Sequence, residues 1–408
     1  MSEPRAIVIV GGGHAGAALC NALAAAGLGA RTHLVCAEAE LPYQRPPLSK
    51  AFLKSPSEEV QPHRNEGWYG EAGITLHRDD PALAIDRAGR TLTLRSGTTL
   101  HYDWLVLATG ASARTLPALP ATLANVAVLR SAADARRLRS LLDAAKRVTV
   151  LGGGFIGLEI AATAAMLGKS VSVLEAAPRL LQRSVSPELA DNVLVAHRAA
   201  GVDVRLGVTV GDFVIEGERL AALSVNGRRE LVELLVMGIG AVPDTALARA
   251  AGLDCDPRDG AVLVDAALRS SDPAILAIGD CASFPEHGSA RRLRLESVQN
   301  ASDQAKTAAA TIQGAPEPYR ALPWFWSEQG AMRLQMAGLM PADGVRHRRP
   351  GPTPASFSLL HYVGERLVCV ESVNAPLDHM AARKLLEGGK SPAPAVACDP
   401  SVPLKQHA

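Results

Sequence analysis

The sequence predicts an α/β fold with two domains of one kind and a third domain of α+β type. Three observations carry this prediction. The β-branched run "AIVIV" leads into the glycine-rich turn "GGGHAG" and then into an alanine-rich helix. The same order recurs in "RVTVL", "GGGFIG" and "LEIAATAAMLG". Beyond Pro323 the pattern changes to short strands, "MRLQMAGL", "SFSLLHYV" and "RLVCVESV", and a final helix, "APLDHMAARKLLEGG". The continuous apolar runs before the two turns are typical of strands in a buried parallel sheet.

Composition narrows the class of function before any motif is considered. A chain of 408 residues is longer than one ordinary core, so we expect about two to three domains. The balance of 42 basic and 41 acidic residues argues against a nucleic-acid partner. No apolar run reaches the roughly 20 residues of a membrane helix. The beginning, "MSEPRAIVIV", has no apolar signal region, so we expect no membrane association and a cytoplasmic location.

The cysteines do not form the close pairs that metal sites and thiol redox centres use. None of the six belongs to a C-x-x-C motif. We therefore expect small buried side chains that stay reduced, with no metal site and no redox disulfide. Any electron chemistry then requires a bound organic cofactor. The six are Cys20, Cys36, Cys255, Cys281, Cys369 and Cys398.

The first glycine-rich turn fits the pattern G-x-G-x-x-G, at Gly11, Gly13 and Gly16. In a strand–turn–helix unit these glycines allow a tight turn, the close approach of a pyrophosphate and the packing of helix on strand. The pyrophosphate lies at the helix N-terminus, where free N–H groups and the helix dipole favour an anion. The next strand, "THLVC", is followed by Glu38, which is placed to bind a ribose hydroxyl. For His14, inside the turn, a residue without chemistry is the favoured interpretation.

The second turn repeats these features at Gly152, Gly154 and Gly157, and its second strand, "SVSVLE", ends in Glu175. Two such Rossmann-like units predict two bound dinucleotides. The chemistry that uses two is hydride transfer from a nicotinamide to a flavin. We therefore expect FAD at the first turn and a nicotinamide nucleotide, which enters and leaves, at the second.

Three further strands are predicted to return the chain to these cofactors. "DWLVLATGA" ends at Thr109 and Gly110, and "LLVMGIGAVPD" is its counterpart in the second unit. "AILAIGDCA" ends in Asp280, whose carboxylate is placed to accept a hydrogen bond from a ribityl hydroxyl. The alternative is that Asp280 caps a following helix.

With these residues identified, the sequence resembles the FAD-dependent, NADH-using ferredoxin reductases of bacterial oxygenase systems. The resemblance covers essentially the whole chain. It is carried by "LPYQRPPLSK", "GGGFIGLEIAATA", "AIGDCA", "ESVQNA" and "LPWFWSEQG", and the last two are not general features of dinucleotide-binding folds. One departure is Ala37, where the family often has an acidic residue, so we expect the neighbouring Glu38 to make the ribose contact.

The resemblance implies two sets of binding residues. The FAD set, including those from the first turn, is Gly11, Gly13, His14, Ala15, Gly16, Glu38, Arg45, Lys50, Ala82, Thr109, Gly110, Arg130, Asp280, Val298 and Trp326. The NAD set is Gly152, Gly154, Phe155, Ile156, Gly157, Glu159, Glu175, Arg183, Gly238 and Ile239.

Lys50 and Glu159 are the candidate catalytic residues, because the resemblance places both near the flavin nitrogen that receives the hydride. A buried lysine loses its proton unless it has a partner, and Glu159 is the natural one. We expect the pair to orient the nicotinamide ring and to stabilise the negative charge of the reduced flavin. Ordinary surface or capping charges are the alternative.

The order of the motifs predicts the domain boundaries. The FAD domain comprises residues 1–113 and 242–322, the NAD domain 114–241 and the α+β domain 323–408. From Ser391 onwards, frequent prolines predict an extended or frayed arm. Two basic clusters, "RRLR" at 291–294 and "RHRR" at 346–349, are either a solvated face or a docking patch for an acidic ferredoxin.

The predicted activity is that of an NADH:ferredoxin oxidoreductase. Its partner is expected to be a [2Fe–2S] ferredoxin that serves a Rieske dioxygenase or a cytochrome P450, and the protein to be a monomer or weak homodimer. A disulfide reductase or NADH peroxidase needs a redox cysteine in "LPYQRPPLSKAFLK", which has none. A redox-sensing flavoprotein, like the relatives of apoptosis-inducing factor, is the other alternative, and slow turnover would distinguish it.

Overall fold

Helices and strands alternate through much of the chain, as an α/β fold requires. A computed structural model describes residues 6–120 and 122–408. The α-helices in these residues are α1 (His14–Ala25), α2 (Ala51–Lys54), α3 (Glu66–Glu71), α4 (Ala132–Ala144), α5 (Phe155–Met166), α6 (Pro187–Ala199), α7 (Ala246–Ala250), α8 (Val298–Ile312), α9 (Pro376–Glu387) and α10 (Pro394–Ala397). Single 3₁₀ turns lie at Gly29–Arg31, Pro46–Ser49, Gly279–Cys281 and Leu404–His407. None of the described helices is long and apolar enough to cross a membrane.

The strands are mostly short and belong to several sheets. In chain order the described strands are β1 (Ile7–Val10), β2 (Thr32–Val35), β3 (Thr75–His77), β4 (Ala82–Asp86), β5 (Thr91–Leu94), β6 (Thr99–His101), β7 (Trp104–Leu107), β8 (Ala111–Ala113), β9 (Val126–Ala127), β10 (Arg147–Leu151), β11 (Ser170–Glu175), β12 (Asp203–Leu206), β13 (Val210–Glu216), β14 (Arg219–Val225), β15 (Arg228–Leu231), β16 (Leu234–Met237), β17 (Ala241–Pro243), β18 (Val262–Leu263), β19 (Ile275–Ala277), β20 (Ala282–Pro285), β21 (Arg292–Leu293), β22 (Trp324–Gln329), β23 (Met332–Gly338), β24 (Val345–Pro350), β25 (Phe357–Val363) and β26 (Arg366–Val373).

Two parallel sheets have the same internal order. The first runs β3–β2–β1–β7–β19 and the second β12–β11–β10–β16–β9. In each, the strand before a glycine-rich turn lies in the centre, with the return strand, β7 or β16, on one side. All four residues of β1 are buried, because the sheet is covered on both faces. The predicted repeat of two Rossmann-like units is therefore confirmed.

An antiparallel sheet completes the fold after the second parallel sheet. Its order is β22–β23–β26–β25–β24, and α9 packs against it. Leu360, Val370 and Leu385 are at most 1% exposed in the core between this sheet and α9. The sequence predicted β23, β25, β26 and α9 but not β22 or β24. This mixture of strands and helix confirms an α+β domain.

Contacts divide the chain into two compact units. Unit 1 comprises residues up to 45, 60–112 and 241–321, and unit 2 comprises 46–59, 113–240 and 322–408. Unit 2 therefore contains both the second parallel sheet and the antiparallel sheet. The backbone N–H of Ser186 donates to the buried carboxylate of Glu371, which joins the start of α6 to β26. The domain boundaries drawn from the sequence stay a prediction.

Arg349 holds the last part of the chain in place. Its guanidinium is 5% exposed and pairs with Asp378 at 3.1 Å. It also donates to the backbone carbonyls of Ala397, Asp399 and Val402, at 2.9, 2.6 and 2.9 Å. The expectation of an extended or frayed arm is wrong, because five donors in one guanidinium can satisfy several carbonyls of a compact turn.

The basic clusters carry paired charges. Arg346 and Arg348 both bind Glu188 on α6, each at 2.9 Å. In the other cluster, Arg291 pairs with Glu286 at 2.8 Å. Arg294 there binds Asp259 and Glu296 in the same way. These ion pairs neutralise most of the positive charge that the letters "RRLR" and "RHRR" indicate.

We expect Arg349→Met to destabilise unit 2 by about 3–5 kcal/mol, because it leaves Asp378 without its buried partner. Arg346→Met, on the same strand, is the matched control, since Arg346 is 45% exposed. An exposed pair contributes about 0–1 kcal/mol. Urea unfolding measures both. Equal effects of the two substitutions would contradict the anchoring role of Arg349.

Candidate functional site

The first glycine-rich turn leaves an open space in front of its second glycine. A side chain at Gly11 would collide with the carbonyl oxygen of Ala108, and one at Gly16 with that of Gly11. In contrast, apart from Gly13 and its two chain neighbours, no atom of the described residues lies within 4 Å of the place where a Cβ on Gly13 would stand. The N-terminus of α1 has no side-chain cap and no acidic residue in its first turn. This arrangement fits an approaching pyrophosphate.

The second turn has the same geometry. Gly152 has φ of +105°, a conformation that glycine adopts readily, and a Cβ there would stand 2.5 Å from the carbonyl oxygen of Gly238. A side chain at Gly157 would collide with the carbonyl oxygen of Gly152. At Gly154 the nearest atom, the Gly238 oxygen, would be 3.8 Å away. The residues of both turns therefore fit the dinucleotides that the sequence predicts.

Glu38 lies at the end of the strand that follows the first unit's helix. Its carboxylate accepts hydrogen bonds from Arg45, at 2.9 Å, and from the hydroxyl of Tyr43, at 2.6 Å. Two of about four acceptor positions are thereby used. The structure thus brings two FAD candidates, Glu38 and Arg45, into contact. The Glu38 carboxylate still has acceptor positions for the hydroxyls of a ribose.

Asp280 lies next to the first turn. A Cβ on Gly279 would be 3.2 Å from the Cβ of Ala15, so the chain before Asp280 packs on the start of α1. Asp280 belongs to a single 3₁₀ turn that is followed by a strand, β20. The alternative that it caps a following helix is wrong, since the next long helix, α8, is capped by Ser297.

The other FAD candidates are distributed over both units. In unit 1, Thr109 donates to the carbonyl of Asp244 at 2.6 Å, and Gly110 follows it in the same turn. The ring of His14 contacts that of His63, with centroids 4.6 Å apart. Ala82 begins β4 and Val298 begins α8. Lys50, Arg130 and Trp326 belong to unit 2.

Glu175 is held against the second turn by backbone hydrogen bonds. Its carboxylate accepts from the N–H of Gly153 at 2.6 Å and from that of Ala177 at 2.7 Å. Arg179 donates to the carbonyls of Gln182 and Val185, which ties it to its own loop. The carboxylate is therefore fixed beside the turn without an arginine partner.

The remaining NAD candidates surround the same turn. Phe155 begins α5 and packs on Phe325, with ring centroids 4.6 Å apart. Ile156 is 46% exposed, which is unusual for a large apolar side chain at a helix start. Arg183 is exposed, and a Cβ on Gly240 would be 3.7 Å from its guanidinium. Within the described residues Arg183 makes no hydrogen bond or ion pair. Gly238 and Ile239 follow β16 directly.

Lys50 and Glu159 form a buried ion pair in unit 2. The Nζ atom lies 2.7 Å from Oε2, and the two side chains are 15% and 5% exposed. The expected partner of Lys50 is therefore present. Lys50 follows the 3₁₀ turn Pro46–Ser49, and Glu159 lies in the second turn of α5. The pair places a positive charge beside the helix that begins at the second glycine-rich turn.

Two residues that the sequence analysis did not select contact this pair, and two more hold the segment that carries Lys50. Ser49 and Ser327 both donate to the Glu159 carboxylate, at 2.5 and 2.7 Å. Thr163, one turn further along α5, donates to the carbonyl of Ser49 at 2.9 Å. Arg139 on α4 donates to the carbonyls of residues 52, 55 and 58. Ser49 lies inside the motif "LPYQRPPLSK" and Ser327 inside "LPWFWSEQG". Their place in these two motifs was the signal in the sequence that could have identified them.

The comparisons with known proteins agree with this architecture. Residues 5–305 match the family model of pyridine nucleotide-disulphide oxidoreductases, and residues 324–408 match that of the reductase C-terminal domain. Rhodocoxin reductase of Rhodococcus erythropolis is 41% identical, over 98% of this chain and 93% of its own. The structure of the ferredoxin reductase for the CYP199A2 system from Rhodopseudomonas palustris matches with a TM-score of 0.94 and 40% identity, covering 99% of this chain and 100% of that one. The covalent putidaredoxin reductase–putidaredoxin complex gives 0.92 and 35%, over 98% and 97% of the two chains.

The fold and the two turns define an oxidoreductase that uses FAD and NAD(H), as predicted. The chain belongs to the pyridine nucleotide-disulphide oxidoreductase family and, within it, to the ferredoxin reductases of oxygenase systems. All six cysteines are free, and four of them are buried. Burial raises the pKa of the Cys281 thiol, which keeps it protonated and unreactive.

We expect Gly154→Val to weaken NADH binding while the fold is kept, because the added side chain enters the space reserved for the pyrophosphate. The loss should be about tenfold or more in Kd. Unfolding stability should change little, since apart from the chain neighbours no described residue comes closer than 3.8 Å to the position of an added Cβ.

Gly157→Ala is the comparison variant. Its added Cβ would stand 2.3 Å from the carbonyl oxygen of Gly152, so the chain must shift to accept it. The main effect of Gly157→Ala should be a lower free energy of unfolding. Titration of flavin-loaded protein with NAD⁺ and thermal unfolding measure the two quantities. Unchanged NAD⁺ affinity in Gly154→Val would contradict the assignment of the second turn.

Proposed function

We propose that the protein is an NADH:ferredoxin oxidoreductase of an oxygenase system. The observation that carries the proposal is the repeated turn whose second glycine, Gly13 or Gly154, faces open space at a helix N-terminus. Two such places suit two dinucleotides. The structure of a ferredoxin reductase for the CYP199A2 system and the complex of putidaredoxin reductase with putidaredoxin support a ferredoxin as the electron acceptor.

When bound, FAD would supply the chemistry that links hydride transfer from NADH to single-electron transfer to a ferredoxin. The residues of the chain would bind and orient the two nucleotides and stabilise charge. Lys50 would place a positive charge beside them. Glu159 holds the lysine in place, since Nζ and Oε2 lie 2.7 Å apart. Together they orient the nicotinamide ring.

The type of ferredoxin is proposed from the resemblance to the ferredoxin reductases of oxygenase systems. We propose a [2Fe–2S] ferredoxin that serves a Rieske dioxygenase or a cytochrome P450, and a protein that works in the cytoplasm as a monomer or weak homodimer. The FAD site comprises the residues selected from the sequence, with Glu38 and Arg45 on the ribose side. The NAD site comprises the second turn, with Glu175 on the adenosine ribose.

Steady-state oxidation of NADH with a panel of ferredoxins, with cytochrome c as the final acceptor, tests this function. The expected result is that at least one [2Fe–2S] ferredoxin accelerates cytochrome c reduction well above the protein alone. A redox-sensing flavoprotein would instead keep a long-lived reduced complex with every member of the panel. Failure of all ferredoxins would contradict the reductase function.

We expect Lys50→Met to keep the fold and to slow the reduction of the flavin by NADH. Removing one partner of a buried pair costs about 3–5 kcal/mol, and we expect the lower end of this range. The reason is that Ser49 and Ser327 still donate to the Glu159 carboxylate. Weaker retention of FAD should accompany the slower reduction.

Lys54→Met is the control for Lys50→Met. Lys54 lies on the adjacent helix α2 and is exposed. Its substitution should leave the rate unchanged. Rapid-mixing absorbance of the flavin measures both variants, and a normal reduction rate in Lys50→Met would remove the proposed role of the lysine.

Glu175 should set a preference for NADH over NADPH. Its fixed carboxylate accepts hydrogen bonds from the ribose hydroxyls of NADH, and each such bond to a charged group contributes about 1.5–3 kcal/mol. The 2′-phosphate of NADPH replaces the bond with repulsion. The expected difference is on the order of 3–4 kcal/mol, or roughly a hundredfold or more in kcat/KM.

Glu175→Ala should reduce this preference strongly, because the repulsion disappears and the exposed Arg183 can approach a phosphate. Glu230→Ala is the control, since Glu230 pairs with Arg205 elsewhere in unit 2. The measurement is kcat/KM for both nucleotides. Parity in the wild type, or an unchanged ratio in Glu175→Ala, would show that another residue makes the choice.

A further inference from the structure

A chain of buried polar side chains runs from Glu159 to the far end of α6. The hydroxyl of Ser327 donates to Glu159 at 2.7 Å, and the amide of Gln329 lies 3.2 Å from that hydroxyl. The other end of the amide lies 2.9 Å from Nε2 of His197. The four residues are at most 4% exposed. They come from three elements of unit 2: α5, β22 and α6.

The direction of each hydrogen bond in this chain is determined by the carboxylate. Glu159 accepts hydrogen bonds from Ser49, Lys50 and Ser327, so the Ser327 proton is committed to it. Ser327 must then accept from the N–H of Gln329. The Gln329 carbonyl oxygen therefore faces His197, whose Nε2 must carry the proton. Burial lowers the pKa of His197, which keeps the ring neutral near pH 7.

We propose that His197 is a positioning residue for Glu159, acting through Gln329 and Ser327. The proposal rests on the proposed function only in treating Glu159 as the partner of a catalytic lysine. By fixing the Gln329 amide, His197 makes Ser327 a donor toward Glu159. The Glu159 carboxylate then stays oriented toward Lys50.

Among the described residues, the side-chain hydrogen bonds of Ser327, Gln329 and His197 join these groups only to one another and to Glu159. A buried polar group costs free energy unless it is hydrogen-bonded, and apolar side chains would fill the same volume at lower cost. The bonds of the chain lead only toward Glu159. The other end of α6 is also anchored, by Glu188 with Arg346 and Arg348. Both ends of α6 are therefore held by contacts with the antiparallel sheet.

Nuclear magnetic resonance of the oxidised, FAD-loaded protein with ¹⁵N-labelled histidine tests the direction of the chain. The expected signal is a neutral His197 ring that is protonated at Nε2 and whose proton exchanges slowly with water. Its absence from His197→Phe assigns it. A neutral ring protonated at Nδ1, or a charged ring, would overturn the proposal. This test needs neither NADH nor a ferredoxin, so it is independent of the proposed function.

Kinetics of flavin reduction at saturating NADH test the positioning role. His197→Phe keeps a ring but loses the donor, and we expect a limiting rate roughly three- to tenfold lower, the effect of one neutral hydrogen bond. The Kd for NADH should not change. His197→Gln places an N–H donor near the position of Nε2 and should restore the rate to within about twofold.

His379→Phe is the matched control, because His379 is also 2% exposed and its ring nitrogens have no hydrogen-bond partner among the described residues. Its limiting rate should be that of the wild type. An unchanged rate in His197→Phe, or equal slowing in His197→Gln, would overturn the positioning role. If ferredoxin reduction fails while these results hold, the proposed function is lost and this inference stands.

Discussion

The ion pair between Lys50 and Glu159 is the interaction on which the candidate site depends. The two residues are 109 positions apart in the sequence, yet their charged atoms lie 2.7 Å from each other. Such a pair is stable in a buried position only if its remaining hydrogen-bonding groups are satisfied. Ser49, Ser327 and the carbonyl of Pro46 satisfy them. The buried polar chain from His197 through Gln329 and Ser327 ends at this contact.

Part of this support comes from the antiparallel sheet. Strand β22 places Ser327 and Gln329 on its buried side, while Glu328 between them is exposed. The same strand brings Phe325 against Phe155 at the start of α5. Residues of the predicted α+β domain, 323–408, therefore contact helix α5 of the predicted NAD domain. Helix α5 and strand β22 both belong to unit 2.

The sequence allowed prediction of those features that depend on neighbouring residues. The two glycine-rich turns need only a strand, a turn and a helix in succession, and all three are local. Ser327 and His197 could not be selected, because their contacts join residues 168 and 132 positions apart. The last segment was predicted wrongly because its prolines suggested an open chain, whereas one buried side chain, Arg349, fixes its carbonyls. The basic clusters likewise showed charge without showing the acidic partners.

A double-mutant cycle on the rate of flavin reduction by NADH tests the central claim most directly. The variants are Lys50→Met, Glu159→Gln and the two combined, each loaded with FAD and mixed rapidly with saturating NADH. If the two residues act as one unit, the double variant should be no slower than the slower single variant, with a coupling of at least about 1 kcal/mol. Rate losses that multiply, as for independent sites, would contradict the account.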